Sequence, residues 1–251
     1  MTPYELFKKE CEEEIAKQNN PVVWEKTFDW LDTISKFKYV YHFEWLGRPI
    51  IQHPADIVQF QEIIWKTKPD LIIETGIAHG GSLMFSASML ALLDMLDSSP
   101  AVHNRMVLGI DIEIRRHNRD AIEAHPLFNR IKLLEGDSVA ENIVKNVRDY
   151  AKNFKSIMVC LDSNHTHNHV LQEIKLYSPL VSIGNYCIVF DTGIEDTSGD
   201  IYKDKPYGKG NNPKTAVYEF LKTHDEFVID KDIQNKLLTT SAPDGYLKRL
   251  K

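Results

Sequence analysis

The sequence lacks several features that identify broad classes of protein, such as membrane, secreted or nucleic-acid-binding proteins. No stretch of its 251 residues approaches the roughly 18 consecutive apolar residues that a membrane-spanning helix needs. The N-terminus has no apolar segment of the kind that a signal peptide carries. The formal net charge is −6 and the basic residues are scattered, which argues against nucleic acid as the main partner. We therefore expect no membrane span and no nucleic-acid partner.

Cysteine is also scarce, because the chain has only three. Cys160 and Cys187 fall inside apolar, strand-like runs, which indicates buried thiols rather than a disulfide framework. A reducing, cytoplasmic location follows as the expectation. An apolar content of 43% over this length is enough to bury a full core. We expect one domain over 1–251, made of an N-terminal helical and loop extension (1–68) and a core (69–251).

The extension contains two amphipathic helical patterns, Tyr4–Gln18 and Asp56–Lys68, with Asp56 as the predicted N-cap of the second. The segment Phe37–Pro54 between them is too broken by Gly and Pro for a long regular element, and we interpret it as an arm beside a pocket. From Pro69 onward, strand and helix patterns alternate. The predicted strands are 71–74, 106–111, 131–135, 156–162 and 186–191, and the predicted helices are 82–93, 117–124, 139–151 and 167–177. Such alternation predicts an α/β fold with a mostly parallel sheet covered on both faces.

The C-terminal part has a different composition. Gly193–Asn212 is rich in Gly and polar residues and directly follows an acid at a strand end, so we interpret it as a lid segment over the pocket. Lys214–Leu221 is predicted to be a short helix. Phe227–Ile229 and Tyr246–Leu250 are predicted to add two closing strands.

The most informative motif is the run from Leu71 to Ser82, an apolar strand followed by a glycine-rich turn and a helix. Glycine allows sharp turns and close approach of a ligand, and the helix N-terminus offers unpaired N–H groups to an anion. The spacing Glu74-x-Gly76-x-x-x-Gly80-x-Ser82 departs from the G-x-G-x-x-G fingerprint of dinucleotide-binding proteins. It resembles motif I of the class I S-adenosylmethionine (SAM) methyltransferases. A structural turn in another α/β protein is the alternative interpretation.

Every predicted strand of this core ends in polar residues, and ligands of open α/β sheets bind beyond those ends. Asp111 is placed to accept hydrogen bonds from ribose hydroxyls, or else caps the next helix. His79, inside the turn, either contacts the cofactor or only packs there. The full set of predicted cofactor-binding residues is Glu74, Gly76, His79, Gly80, Gly81, Ser82, Asp111, Asp137 and Ser138.

Four segments together resemble the family named after cephalosporin hydroxylase and grouped with rhamnosyl O-methyltransferases. They are the segments 45–52, 73–82, 161–165 and 191–192, and the resemblance spans roughly residues 37–250. It implies a Rossmann-like three-layer fold with a mostly seven-stranded sheet and SAM as cofactor. In SAM methyltransferases of this type, adenine is recognised where Asp137 and Ser138 stand, although an ordinary turn there is equally consistent.

The same resemblance implies a Mg²⁺ ion held by carboxylates at the ends of the fourth and fifth strands, here Asp162 and Asp191. Relatives carry consecutive acids at the second position, whereas this chain has Phe190 before Asp191. One metal ligand is then missing, and metal-free catalysis by Asp191 or His165 is the alternative. His165, His167 and His169 also permit a two-histidine, one-carboxylate iron site.

We expect a SAM-dependent O-methyltransferase that acts on a hydroxyl of a sugar, glycan or natural-product precursor, as in polysaccharide biosynthesis. Asp162, His165 and Asp191 are its predicted catalytic residues, and Trp45, Arg48, His53 and Tyr202 are candidates for a substrate wall. Two alternatives stay open: a hydroxylase or oxidoreductase, and a catalytically silent partner with the same fold. The sequence leaves open the acceptor, the methylated position and the oligomeric state, a homo-oligomer included.

Overall fold

The computed structural model describes residues 1–18, 20–96 and 105–251. Its centre is a seven-stranded sheet in the order β5-β4-β3-β6-β7-β9-β8. Strands β3 to β7 are parallel, and β9 runs antiparallel between β7 and β8. The strands are β1 (Glu44–Trp45), β2 (Arg48–Pro49), β3 (Leu71–Thr75), β4 (Met106–Asp111), β5 (Ile131–Glu135), β6 (Ile157–Leu161), β7 (Tyr186–Val189), β8 (Phe227–Ile229) and β9 (Tyr246–Arg249). The short pair β1–β2 forms a separate hairpin.

Helices cover both faces of this sheet. They are α1 (Pro3–Ala16), α2 (Pro21–Ser35), α3 (Pro54–Thr67), α4 (Gly81–Leu96), α5 (Arg116–Glu123), α6 (Glu141–Ala151), α7 (His167–Tyr177), α8 (Pro213–Leu221) and α9 (Lys231–Leu237). Apolar residues of α3, α4 and α9 pack on one face, and those of α6, α7 and α8 pack on the other. The predicted three-layer, Rossmann-like architecture is confirmed.

The central strands are apolar on both sides because both sides are covered. Within β3, Ile72 belongs to the core of one face, and Leu71 and Ile73 belong to the core of the other. All five residues of β3 and of β6 are buried. The two cysteines that were predicted to be buried thiols, Cys160 in β6 and Cys187 in β7, are buried and free. Parallel register brings the carboxyl ends of β3, β4 and β6 to one edge.

Most predicted elements are present with their ends shifted by three residues or fewer. Asp56 does not cap α3, because His53 occupies the N-cap position and Asp56 lies fully buried in the first turn. Strand β7 ends at Val189, since Asp191 adopts a left-handed backbone with φ 56°. Helix α2, helix α9 and the β1–β2 hairpin have no counterpart among the predicted elements.

The N-terminal extension lies against the C-terminal part of the core. Every residue of α1 remains at least partly exposed, whereas α2 buries Thr27, Leu31 and Ile34. The Thr27 hydroxyl donates a hydrogen bond to the carbonyl of Leu238 over 2.7 Å. Among the described residues, none of the helices has both the length and the apolar character that crossing a bilayer requires.

Candidate functional site

A cavity of about 390 Å³ opens at the carboxyl edge of the sheet, between β3, β6 and β7. Its walls come from helix α2, the arm, the glycine turn, the ends of β6 and β7, the lid segment and Ser241 near the C-terminal end. The lining residues include Leu31, Ile34, His53, Gly76, His79, Gly81, Ser82, Asp162, His165, Phe190, Asp191, Ile194, Ile201, Tyr202, Tyr207 and Ser241.

The glycines of the turn are required by close approach of other parts of the protein. A Cβ at Gly76 would lie 2.1 Å from the carbonyl oxygen of Asp162, and one at Gly81 would lie 2.2 Å from that of Pro49. A Cβ at Gly80 would meet the side chain of Ile122, and Gly80 also has a φ of 84°. These contacts explain the glycine pattern by backbone packing, while Gly76 and Gly81 also line the cavity.

Glu74 ends β3 beneath the turn and is buried. The Ser82 hydroxyl donates a hydrogen bond to its Oε1 atom, while Oε2 has no hydrogen-bond partner in the described part of the chain. Burial raises the pKa of Glu74 to about 7, against the smaller opposing effect of the Ser82 hydrogen bond. A buried carboxylate with an unpartnered oxygen can accept a hydrogen bond from a ligand or pair with a positively charged group of a ligand.

Asp111 holds the glycine turn from the end of β4. Its Oδ2 atom accepts hydrogen bonds from the backbone N–H groups of Ile77 and Ala78, over 2.9 and 3.3 Å. Its Oδ1 atom accepts from the N–H of Glu113. An ionised carboxylate has about four lone-pair positions, so Asp111 keeps capacity for a further donor.

His79 and Arg48 are joined on the outer side of the turn. The Arg48 guanidinium donates two hydrogen bonds to the carbonyl of His79 and one to Asn118. The His79 ring lies 3.3 Å from the same Asn118 oxygen. Arg48, predicted as part of a substrate wall, thus ties the arm to the turn.

Ser138 belongs to a buried network at the end of β5. Its hydroxyl donates to Glu173 over 2.6 Å, and its carbonyl accepts from the Tyr177 hydroxyl. Glu173 is fully buried and lies 3.6 Å from the Nε2 atom of His169, whose pKa it raises by hydrogen bonding. The neighbouring Asp137 is exposed and accepts the N–H of Val139. Sequence reasoning missed Glu173, since a single acid within a helical pattern gives no signal.

The predicted catalytic residues do converge. Ligand atoms of Asp162, His165 and Asp191 all lie within 4.8 Å of one another, and His165 Nε2 is 3.3 Å from Asp191 Oδ2. Burial, and then the charge of Asp191, raises the pKa of Asp162 well above its ordinary value. Two carboxyl groups therefore lie close together at one end of the cavity. A cation bound there would reduce the repulsion between their ionised forms.

The other two histidines of the 165–169 segment face elsewhere. His167 contacts Thr215 and Glu219 of α8, and His169 contacts the Ser138–Glu173 network. The two-histidine, one-carboxylate iron site is therefore wrong for the described residues, because only His165 approaches the two aspartates. Phe190 also contributes no ligand, since its side chain is 4% exposed and belongs to the apolar core.

Two of the four predicted substrate-wall residues line the cavity and two pack elsewhere. His53 and Tyr202 line it, and burial lowers the pKa of His53. Trp45 packs edge-on against Phe85 and donates from Nε1 to Ser88, so its role is core packing. Tyr207, which sequence reasoning missed, packs edge-on against His165 at a centroid distance of 4.9 Å.

The chain matches a known family of proteins over most of its length. The model of the family described as rhamnosyl O-methyltransferase/CmcI matches residues 37–250. The chain belongs to this family. Membership in the rhamnosyl O-methyltransferase/CmcI family confirms the resemblance and the predicted enzyme class, a SAM-dependent O-methyltransferase.

Curated relatives in this family are 30% to 32% identical to the chain over the residues that align. A rhamnosyl O-methyltransferase of Mycobacterium tuberculosis (strain ATCC 25618 / H37Rv) is 32% identical over 199 residues, which cover 78% of this chain and 73% of the relative. One of Mycobacterium leprae (strain TN) is 30% identical over 151 residues, 60% of each chain. Among solved structures, CmcI with Mg and SAM has a TM-score of 0.56 at 17% identity, covering 84% of this chain and 78% of that one. CmcI with S-adenosylhomocysteine (SAH) has a TM-score of 0.56 at 20% identity, covering 83% of each.

Proposed function

We propose that the chain transfers the methyl group of SAM to a hydroxyl of a sugar, in a free or glycan-linked form. The observation that carries this proposal is the meeting of the glycine turn with Asp162, His165 and Asp191 at one cavity. The rhamnosyl O-methyltransferases that resemble this chain support a sugar hydroxyl as acceptor.

The residues around the cavity fit SAM by charge and by hydrogen-bonding capacity. SAM carries a sulfonium and an ammonium group, and the carboxyl end of the sheet carries the carboxyl groups of Glu74, Asp162 and Asp191, of which Glu74 has one oxygen without a hydrogen-bond partner in the described residues. Asp111, beside the turn, would accept from the ribose hydroxyls, and the exposed Asp137 would accept from the adenine amine. The turn residues 76–82 would enclose the amino-acid end, with His79 and Ser82 beside it.

When bound, SAM supplies a methyl group activated by positively charged sulfur, and its displacement by an alcohol yields a methyl ether, SAH and a proton. The chain must orient the alcohol and take that proton. Asp191 and His165 are paired over 3.3 Å, so a proton accepted by one is shared with the other. Alignment of the hydroxyl in the enclosed cavity supplies much of the remaining acceleration.

The donor set also suits Mg²⁺, with Asp162 and Asp191 as oxygen ligands. When held there, the ion would lower the pKa of a coordinated hydroxyl. Phe190, the residue before Asp191, is buried, and its side chain has no atom that could bind a metal ion. The third group near the two aspartates is therefore the His165 imidazole. We propose that the two aspartates hold the ion and that His165 acts as the base.

The test combines a binding measurement with a transfer measurement. SAH binding is measured by calorimetry, and transfer of labelled methyl from SAM is measured with methyl α-L-rhamnoside as acceptor, in wild type and in Asp162→Asn, Asp191→Asn and His165→Ala. Each variant is expected to lose about 10²–10⁴-fold in transfer and to bind SAH nearly as wild type does. His167→Ala is the matched control, since His167 faces α8.

Chelator separates the metal-assisted and metal-free versions. If Asp162 and Asp191 hold Mg²⁺, chelation reduces wild-type transfer and added Mg²⁺ restores it, with no rescue of Asp162→Asn. Binding of NAD⁺ without any response to SAH would overturn the proposed function. Full transfer by all three variants would move the chemistry to other residues of the cavity.

A further inference from the structure

We propose that Tyr207 of the lid segment is a positioning residue, which holds the imidazole ring of His165 in the orientation that proton transfer requires. The proposal rests on the proposed function, in which His165 acts as the base, and it identifies what keeps that base in place. It gives the lid segment a part in the chemistry beyond covering the cavity.

The ring of His165 is contacted by two side chains. Its Nε2 atom lies 3.3 Å from Asp191 Oδ2, and the Tyr207 ring packs against it at a centroid distance of 4.9 Å and an interplanar angle of 88°. The contact with Asp191 fixes one atom of the imidazole and leaves the ring free to rotate about that atom. A perpendicular aromatic neighbour favours one plane of the ring, because edge-to-face packing depends on orientation. Together, the two contacts define both the position of Nε2 and the plane of the imidazole.

The main chain at His165 is fixed by a local turn between β6 and α7. The Asn164 side chain accepts hydrogen bonds from the backbone N–H and from the hydroxyl of Thr166, over 2.8 and 2.7 Å. Such an Asx turn restrains the backbone on both sides of His165. The freedom that remains to His165 is therefore mainly in its side-chain torsions, and this is the freedom that Tyr207 restricts.

Tyr207 is itself held in a compact turn formed by residues 206–212, called the 206–212 turn below. Gly208 and Asn211 exchange two backbone hydrogen bonds, each of 3.0 Å. The Asn211 side chain donates to the carbonyl of Pro206 over 2.8 Å. Hydrogen bonds thus fix the chain on both sides of Tyr207.

The 206–212 turn is attached to the segment that carries His165. The Oδ1 atom of Asn211 accepts the backbone N–H of His167, the first residue of α7, over 2.9 Å. The attachment point lies two residues beyond His165 in the chain. The turn and the base are therefore parts of one hydrogen-bonded unit, and Tyr207 is held against His165 before an acceptor binds.

The ring of Tyr207, and not its hydroxyl, is expected to matter. Burial, and then the charge of Asp191, raises the pKa of Tyr207, so its phenol stays protonated at neutral pH and does not compete with His165 for the proton. A phenylalanine supplies the same ring edge and face. Removal of the ring lets the imidazole rotate away, and misplacement of a reacting group by about 1 Å costs about 10²-fold in rate.

The first experiment measures methyl transfer from SAM to methyl α-L-rhamnoside. We expect Tyr207→Ala to lower kcat by about 10–100-fold, and Tyr207→Phe to stay within about threefold of the wild type. Affinity for SAH should be unchanged in both variants. Lys209→Ala is the matched control, because Lys209 is exposed in the same turn and should leave transfer at the wild-type rate. A raised acceptor KM with unchanged kcat in Tyr207→Ala would overturn the proposal and make Tyr207 a sugar-binding residue instead.

A double variant decides whether Tyr207 acts through His165. If it does, the Tyr207→Ala, His165→Ala double variant should transfer within about threefold of His165→Ala alone, because the base is already missing. A loss equal to the product of the two single losses would show an independent role and overturn the proposal. Full transfer by His165→Ala would overturn both the positioning role and the assignment of His165 as base.

Nuclear magnetic resonance of protein with isotope-labelled histidine follows the His165 ring without any need for activity. The His165 signals, identified by their loss in His165→Ala, should shift in Tyr207→Ala and stay in place in Lys209→Ala. Unmoved His165 signals in Tyr207→Ala would show that the two rings are not in contact and would overturn the proposal. A wild type that shows these shifts but neither binds SAH nor transfers methyl groups would instead count against the proposed function.

Discussion

The two ends of the candidate site hold their polar residues in different ways. At the cofactor end, around β3 to β5, Asp111 and Ser138 are already hydrogen bonded to the protein. At the acceptor end, around β6 and β7, burial and then the nearby charge of Asp191 raise the pKa of Asp162, so this carboxyl group is difficult to ionise.

This difference follows from how each end is built. The cofactor end uses neighbouring strand ends and one continuous turn, and side-chain hydrogen bonds such as those of Asp111 to Ile77 and Ala78 fix it without a ligand. The acceptor end joins α2, the arm, two strand ends and the lid segment, which are distant in sequence. The first end is organised by the fold, and the second is completed by its ligands. Four predictions test that contrast, from the largest expected effect to the smallest.

The largest effect is expected at Asp56, which joins the C-terminal segment to α3 below the acceptor end. Its carboxylate accepts hydrogen bonds from Thr240, from the backbone and side chain of Ser241, and from the Tyr246 hydroxyl, over 2.5 to 3.0 Å. Asp56→Ala leaves buried donors unpaired and should lower the free energy of unfolding by about 4 kcal/mol. Urea denaturation measures this loss in the free energy of unfolding. Asp29→Ala is the control, because Asp29 is exposed. A loss below about 1 kcal/mol would show that this network is dispensable.

A smaller effect is expected at Gly81, where the turn meets the arm. An alanine Cβ would lie 2.2 Å from the carbonyl oxygen of Pro49, so backbone must shift. We expect Gly81→Ala to destabilise by about 3 kcal/mol and to weaken SAH binding. Gly208→Ala in the lid segment is the control, because its Cβ would have its nearest neighbour at 4.0 Å and should change stability by less than about 0.5 kcal/mol. Similar losses in both variants would contradict the contrast between a packed turn and an open lid segment.

The third prediction concerns pH and Glu74. Burial raises the pKa of Glu74 from 4.5 to about 7, so the folded chain holds this proton more tightly than the unfolded chain does. The resulting stabilisation is complete below pH 4.5 and is lost as pH rises to about 7, with a total of at most about 3 kcal/mol. The difference in unfolding free energy between wild type and Glu74→Gln should therefore fall over that range. A difference that is constant with pH would show that folding leaves the pKa of Glu74 at its ordinary value.

The smallest effect is expected for cofactor binding at Asp111. Because Asp111 already holds the turn, Asp111→Ala removes both a proposed ribose contact and the anchor of Ile77 and Ala78. SAH binding should weaken by about 1–3 kcal/mol, measured by calorimetry. Asp111→Asn keeps an acceptor for the turn, so it should retain part of the affinity. Unchanged affinity in both variants would remove Asp111 from the cofactor site.

Local patterns predicted the fold well, and long-range contacts account for most of the errors. The bounds of β4 and β5 were predicted correctly because apolar runs bounded by polar residues carry that signal. Asp56 was wrongly predicted as an N-cap, since its partners Thr240 and Tyr246 lie about 190 residues away in the chain. Neither the contact of Tyr207 with His165 nor the place of α2 at the cavity has a local signal, because both depend on how separate segments fold together.

The left-handed backbone at Asp191 restricts which residues this position can accept. Most side chains are disfavoured at a φ of 56°, whereas aspartate and asparagine are among the non-glycine residues that tolerate it best. An alanine there changes both charge and conformational preference, and a glutamate moves the carboxylate and adds backbone strain. Over evolutionary time the position can therefore lose its charge through asparagine or glycine with little disturbance of the fold. Inactive homologues with an intact fold are then expected to carry one of those two residues at this position.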